Sequence, residues 1–171
     1  DRAGIPAGVF NVLTGLPAGI GGEVTSNPAV RKLSFTGSTR IGKLLMSQCA
    51  DTLKRLSLEL GGNAPFIVFD DADLDLAIEG VMLSKFRNAG QVCISPTRFL
   101  VHHQIADEFA QRFAEQAQAL KVGDGLAAGT QMGPLANERR LAAMQAIVQD
   151  ARAKGAKVLT GGERIGTQGH F

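Results

Sequence analysis

The chain has 171 residues, a formal net charge of +2, 44% apolar and 20% charged residues, and 5% aromatics with neither Trp nor Tyr. These values allow one ordinary domain or pieces of two and exclude global disorder. They also argue against a nucleic-acid partner, which calls for a basic excess and stacking platforms, and no apolar run approaches the roughly 18 residues of a membrane-spanning helix. Two cysteines cannot make a disulfide framework, so the expected compartment is reducing and cytoplasmic. Glycine is the outlier, at 21 residues, and signals tight turns or close approach of a ligand to the backbone. The chain starts at Asp1 without Met and stops at Phe171 without a terminal helix or cap. The expectation is a processed chain or a piece of a longer one.

In chain order, a turn at Gly4–Gly8 leads to an expected strand at Val9–Leu13, closed by Thr14-Gly15. A short helix is expected at Ile20–Thr25, before Asn27-Pro28. Lys32–Thr36 alternates polar and apolar residues, as a strand does. After Gly37-Ser38, the spacing of Ile41, Leu44, Leu45 and Cys49 predicts a helix with these four on its core face. In Arg55–Leu60 the leucines at 56, 58 and 60 share one side of a strand, which Gly61-Gly62-Asn63 breaks. Pro65–Phe69 is almost wholly apolar and reads as a buried parallel strand. Asp70, Asp71 and Asp73 sit where a helix N-terminus favours acids, and that helix runs to about Phe86. Residues 88–96 form a loop and Phe99–Val101 a strand. Helices follow around Ile105–Leu120 and Leu141–Ala151, separated by a Gly-rich connection, and Lys157–Leu159 reads as a last strand. The order β-α-β-α-β-β-α-β-α-α-β is α/β and largely parallel. The best boundary is Gly61-Gly62-Asn63.

Gly37–Lys43 fits the G-x-x-x-x-G-K of a phosphate loop, but Leu44 stands where the Mg²⁺-binding hydroxyl belongs. What remains is a helix N-terminus with a glycine and a hydroxyl beside it, suited to a pyrophosphate or explained by an ordinary N-cap at Ser38. No G-x-G-x-x-G occurs, so a dinucleotide site would have to be built differently or lie partly elsewhere. Cys49 falls on an apolar stripe and reads as a small buried hydrophobe. Cys93 lies in a loop outside any apolar periodicity and is either an ordinary thiol or a nucleophile. Glu59 lies opposite the leucines of its strand, beside two glycines that let something approach the backbone. It is either a solvated carboxylate or a general base. His102-His103 has no partner at ligand spacing, and the Asp70–Asp75 acids do not fit a Ca²⁺ loop, so no metal site is expected.

Taken together, Phe35-Thr36-Gly37-Ser38, Leu58-Glu59-Leu60-Gly61-Gly62-Asn63 and Asn88-Ala89-Gly90-Gln91-Val92-Cys93 resemble the central signature of the NAD(P)-dependent aldehyde dehydrogenases. The separation of 34 residues between Glu59 and Cys93 also matches, and Gly133-Pro134 resembles a further landmark. Within the family the chain looks nearest to succinate-semialdehyde dehydrogenase-like members. The resemblance implies that residues 1–61 end a Rossmann-like NAD(P)-binding domain and that residues 62–171 begin the catalytic domain. It implies Cys93 as the nucleophile, with its own N–H as an oxyanion donor, and Glu59 as the base that activates water. It implies NAD or NADP contacts by Thr36, Gly37, Ser38, Ile41, Leu60 and Gly61. Arg87, six residues before Cys93, matches an arginine that takes a substrate carboxylate. Ser95 replaces a second Cys of some relatives, so a local redox disulfide is not expected. The implied substrate is a short semialdehyde and the implied parent a cytoplasmic homo-oligomer. The oxyanion Asn and both ribose anchors would lie outside this chain, which is expected to be inactive alone. A nucleotide-phosphate binder without chemistry, and an inert structural fragment, are the rival readings.

Overall fold

The structure, a computed structural model, describes residues 3–171. The chain divides into two compact units, Asp1–Gly61 and Gly62–Phe171. The first holds helix α1 (Pro17–Ser26), strand β1 (Lys32–Gly37), helix α2 (Thr39–Cys49) and strand β2 (Arg55–Leu60). The second holds β3 (Ala64–Val68), α3 (Leu74–Phe86), β4 (Pro96–Val101), α4 (Ala106–Gln118) and α5 (Glu138–Ala153).

In the first unit β1 and β2 pair in parallel, from Lys32↔Arg55 to Gly37↔Leu60, without a bulge. Their period of two turns Leu33, Phe35, Leu56, Leu58 and Leu60 to the covered face and leaves Ser34, Thr36, Ser57 and Glu59 on the open one. α2 lies on the covered face so closely that a Cβ on Gly42 would meet Leu60 Cδ2 at 2.6 Å. Packing therefore accounts for the second glycine of the broken phosphate-loop pattern. Lys54, 8% exposed, donates from Nζ to Asn27 O (2.7 Å) and Val30 O (2.9 Å). These two charge-assisted bonds satisfy a buried ammonium and tie the connection before β1 to the entrance of β2.

In the second unit β3 and β4 are also parallel, with a register shift between Ala64 and Pro65. Val68, Ile78, Val81 and Phe109 form the core, with Phe66, Phe99, Phe113 and neighbouring aliphatic residues packed around it. The Phe99 and Phe113 rings are tilted, 5.5 Å apart, within the range aromatic pairs prefer. Asp73 caps α3, its Oδ1 accepting from Asp75 N (2.9 Å) and Leu76 N (3.2 Å), so one member of the acidic cluster does the work expected of it. Arg112 of α4 bonds Asp75 across the helix pair and Glu108 along its own helix. Donating a hydrogen bond to the Asp75 carboxylate holds the Arg112 guanidinium above its ordinary value.

Four expectations need correction. Val9–Leu13 forms no strand: Val9 N bonds back to Pro6 O (3.2 Å) and the apolar side chains of this stretch are exposed. Lys157–Leu159 forms none either, because among the described residues no strand pairs with it to complete a ladder. Leu44 is 49% exposed, one position off the stripe formed by Gly42, Leu45 and Cys49. β3 is buried on one face only: Ile67 is 57% exposed and alternates with buried Val68, because α3 and α4 cover a single side of this sheet.

Candidate active site

The first unit gathers one group of candidate residues. The register pairs Thr36 with Glu59 and Gly37 with Leu60, so both strands end together. Thr36 and Glu59 are thus cross-strand neighbours on the open, polar face. Gly37 and Ser38 carry β1 into α2, whose N-terminus stands at this same C-terminal edge. In parallel sheets that edge is where ligands bind. Ser38 is the N-cap, its Oγ accepting from Ile41 N at 3.3 Å. The ordinary capping role is therefore real, and it still leaves the first-turn N–H groups without partners inside the helix. Gly37 is held to glycine by Phe35, whose ring occupies the place a Cβ would take. Gly61 and Gly62 differ from it. Neither has a positive φ and neither would meet an atom within 4 Å if it bore a Cβ. Nothing among the described residues requires glycine there, and the space beside both positions, just after Glu59 in sequence, is open.

The second unit carries Arg87 and Cys93. The helix α3 ends at Phe86, and Arg87–Gly90 makes a tight turn. Within it Asn88 (φ 52°), Ala89 (φ 52°) and Gly90 (φ 76°) are all left-handed. For Ala89 this conformation costs about 1–2 kcal/mol. Gln91 N closes the turn on Asn88 O (3.0 Å), and Ser95 N closes the next on Val92 O (2.9 Å). Between them Cys93 is exposed, whereas Cys49 is 2% exposed. Loop aperiodicity against apolar stripe had separated these two thiols in the sequence, and burial separates them here. Arg87 is exposed at the start of the same turn.

Three features had no clear signal in the sequence. The run of three left-handed residues is one; Asn88 and Gly90 hinted at a turn, but Ala89 gave no hint. Buried Lys54 is another. The third is Ser95, 2% exposed, whose Oγ donates to Lys85 O at 3.4 Å. Among the described residues no group of three or more His, Cys, Asp or Glu could hold a metal ion. No helix among them is long and apolar enough to cross a membrane.

Comparison with known proteins fixes the family. The aldehyde dehydrogenase family model matches residues 1–171. The NADP⁺-dependent succinate-semialdehyde dehydrogenase of Escherichia coli is 55% identical over 99% of this chain, and the 3-sulfolactaldehyde dehydrogenase of Pseudomonas putida 54% over all of it. A crystal structure of succinate-semialdehyde dehydrogenase from Burkholderia pseudomallei superposes with a TM-score of 0.93 at 55% identity, covering 99% of this chain and 36% of that one. The chain spans 35% of the length of the two curated relatives. With its mixed α/β elements and all of its residues inside the match, the chain belongs to the aldehyde dehydrogenase family.

Proposed function

We propose that this chain supplies the nucleophile, the general base and the pyrophosphate end of the cofactor site to an NAD- or NADP-dependent oxidation of an aldehyde to its acid. In this reading residues 1–61 close the cofactor domain and residues 62–171 open the catalytic domain. The observation that carries it is the contrast between exposed Cys93, in the turn that follows the left-handed run 88–90, and buried Cys49.

The chemistry follows from the residues. The Cys93 thiolate attacks the aldehyde carbon, a C–S bond forms, and the carbonyl π electrons move to oxygen. The Cys93 N–H donates to that oxyanion. A bound nicotinamide supplies the acceptor for the hydride that leaves this carbon, and a thioester on Cys93 remains. Glu59 takes a proton from water, the oxygen attacks the thioester carbon, the C–S bond breaks and the acid departs. The polar edge at Thr36, Gly37 and Ser38, next to the first turn of α2, suits the cofactor's pyrophosphate. Ile41 offers an apolar surface to the adenine, and Leu60 with open Gly61 lines the approach to Glu59.

Alkylation tests the reading directly. Iodoacetamide on the folded chain, with adducts mapped by mass, is expected to label Cys93 at least about tenfold faster than Cys49, since reactivity follows thiolate character and exposure. Faster labelling of Cys49 would overturn the assignment.

The substrate class follows from Arg87. Succinate semialdehyde carries a carboxylate far from its aldehyde, and 3-sulfolactaldehyde, named for the Pseudomonas relative, carries a sulfonate. Both are aldehydes with a distal anion, and a guanidinium binds either through paired N–H donors. Arg87→Ala, in the E. coli relative with this chain grafted over its matching stretch, is expected to lower kcat/KM for succinic semialdehyde by about ten- to a hundredfold. An uncharged aldehyde of similar length should be little affected. Equal losses for both would make Arg87 structural.

A further inference from the structure

We infer that Lys85 is a positioning residue that clamps the loop presenting Cys93 to the last turn of α3; the role rests on reading Cys93 as the nucleophile. Lys85 stands in the last turn of α3. Its Nζ donates to Pro96 O at 2.9 Å, three residues after Cys93. Its carbonyl oxygen accepts from Ser95 Oγ at 3.4 Å. On the other shoulder, three residues before Cys93, a Cβ on Gly90 would stand 3.2 Å from Lys85 O and 3.9 Å from both its Cε and Nζ. Lys85 therefore bonds the loop just after the thiol and lies close to Gly90 just before it.

A lysine in the last turn of a helix ordinarily faces water, where it favours the helix dipole. Here it is half-buried and gives up rotamer freedom to bond a carbonyl of a buried proline. The loop has need of such a restraint. Left-handed Asn88 and Ala89 persist only where their surroundings over-determine them. An exposed thiol has little packing of its own to fix it, yet attack on a carbonyl demands a sulfur held close to one geometry. Gly90 also fits: a side chain there would push against Lys85 O.

Hydrogen exchange on the 171-residue chain tests the clamp. In Lys85→Met, which keeps the length and loses the donor, the amides of Gln91 and Ser95 are expected to exchange about tenfold faster, while those of α3 and α4 keep their protection. Lys85→Arg, which keeps a donor, should restore the slow rates. Loop exchange within about twofold of the unchanged chain in Lys85→Met, or an arginine variant as fast as the methionine one, would overturn the proposal. Should Lys85→Met lose protection throughout α3 and α4, Ser95→Ala decides: faster loop exchange supports the clamp and unchanged exchange overturns it. Labelling of the unchanged chain keeps the two readings apart. If Cys93 reacts no faster than Cys49 while loop exchange responds to Lys85, the nucleophile reading fails and the clamp survives only as a structural contact, so its positioning role falls too. If Cys93 is the faster thiol and exchange ignores Lys85, the clamp alone fails.

Discussion

Cys93→Ala, in the E. coli relative carrying this chain in place of its matching stretch, is expected to lower turnover by about 10⁴-fold or more. The size follows from what the change removes. On the proposed reading the thiolate forms the bond that ties the aldehyde down, and alanine has no atom that can form it. What the change leaves alone makes the test clean. Cys93 is exposed, so truncation to alanine opens no cavity, and stability should shift by no more than about 0.5 kcal/mol. The backbone N–H remains, as do the closing bonds from Gln91 to Asn88 and from Ser95 to Val92. Steady-state absorbance of reduced cofactor is the measurement. Turnover within about tenfold of the unsubstituted graft would mean that the bond to carbon is made elsewhere.

Glu59→Gln in the same graft is expected to slow steady turnover by about 10²–10⁴-fold, the usual loss when a general base is removed. Glutamine matches the carboxylate in shape and removes its basicity. The position is exposed on the open face of the β1–β2 sheet, so the strand should accept the amide. The two halves of the reaction should respond differently. On the proposed reading this carboxylate acts only in hydrolysis, so a single-turnover burst of reduced cofactor should survive while hydrolysis of the thioester lags. Rapid mixing with absorbance detection separates them. Turnover at the parent level would remove Glu59 from the mechanism.

Much of the interior was legible because period and neighbour agreed. β1 and β2 alternate in sequence and pair along their full length, and the α2 stripe puts Leu45 and Cys49 inside. Leu44 shows the limit. A leucine beside a stripe scores as part of it, yet each helical residue turns by about 100° and the covered arc was narrower than the apolar one. Val9–Leu13 and Lys157–Leu159 failed for another reason. Strand formation is a contract between two segments, and apolar composition describes only one of them. The candidate site was legible as motifs in a loop and at a strand edge. The Lys85 contacts were not, because a lone lysine at a helix end has the same composition whether it waves in water or reaches a carbonyl eleven residues on.

The unbroken register between β1 and β2 also sets what kind of change this segment can absorb. Strand phase is a parity: moving β2 by one residue would swap its two faces, sending Glu59 toward α2 and Leu60 into water. A single deletion between Arg55 and Glu59 would thus do more harm than most substitutions there, since it misdirects every later side chain at once. The Gly-rich stretch from Val122 to Pro134 obeys no such parity: the bridge of Val122 to Met132 and the bonds between Lys121 and Gln131 hold its ends, and the turns between them bond only within themselves. Length should therefore drift in that connection, while β2 changes its letters and keeps its count.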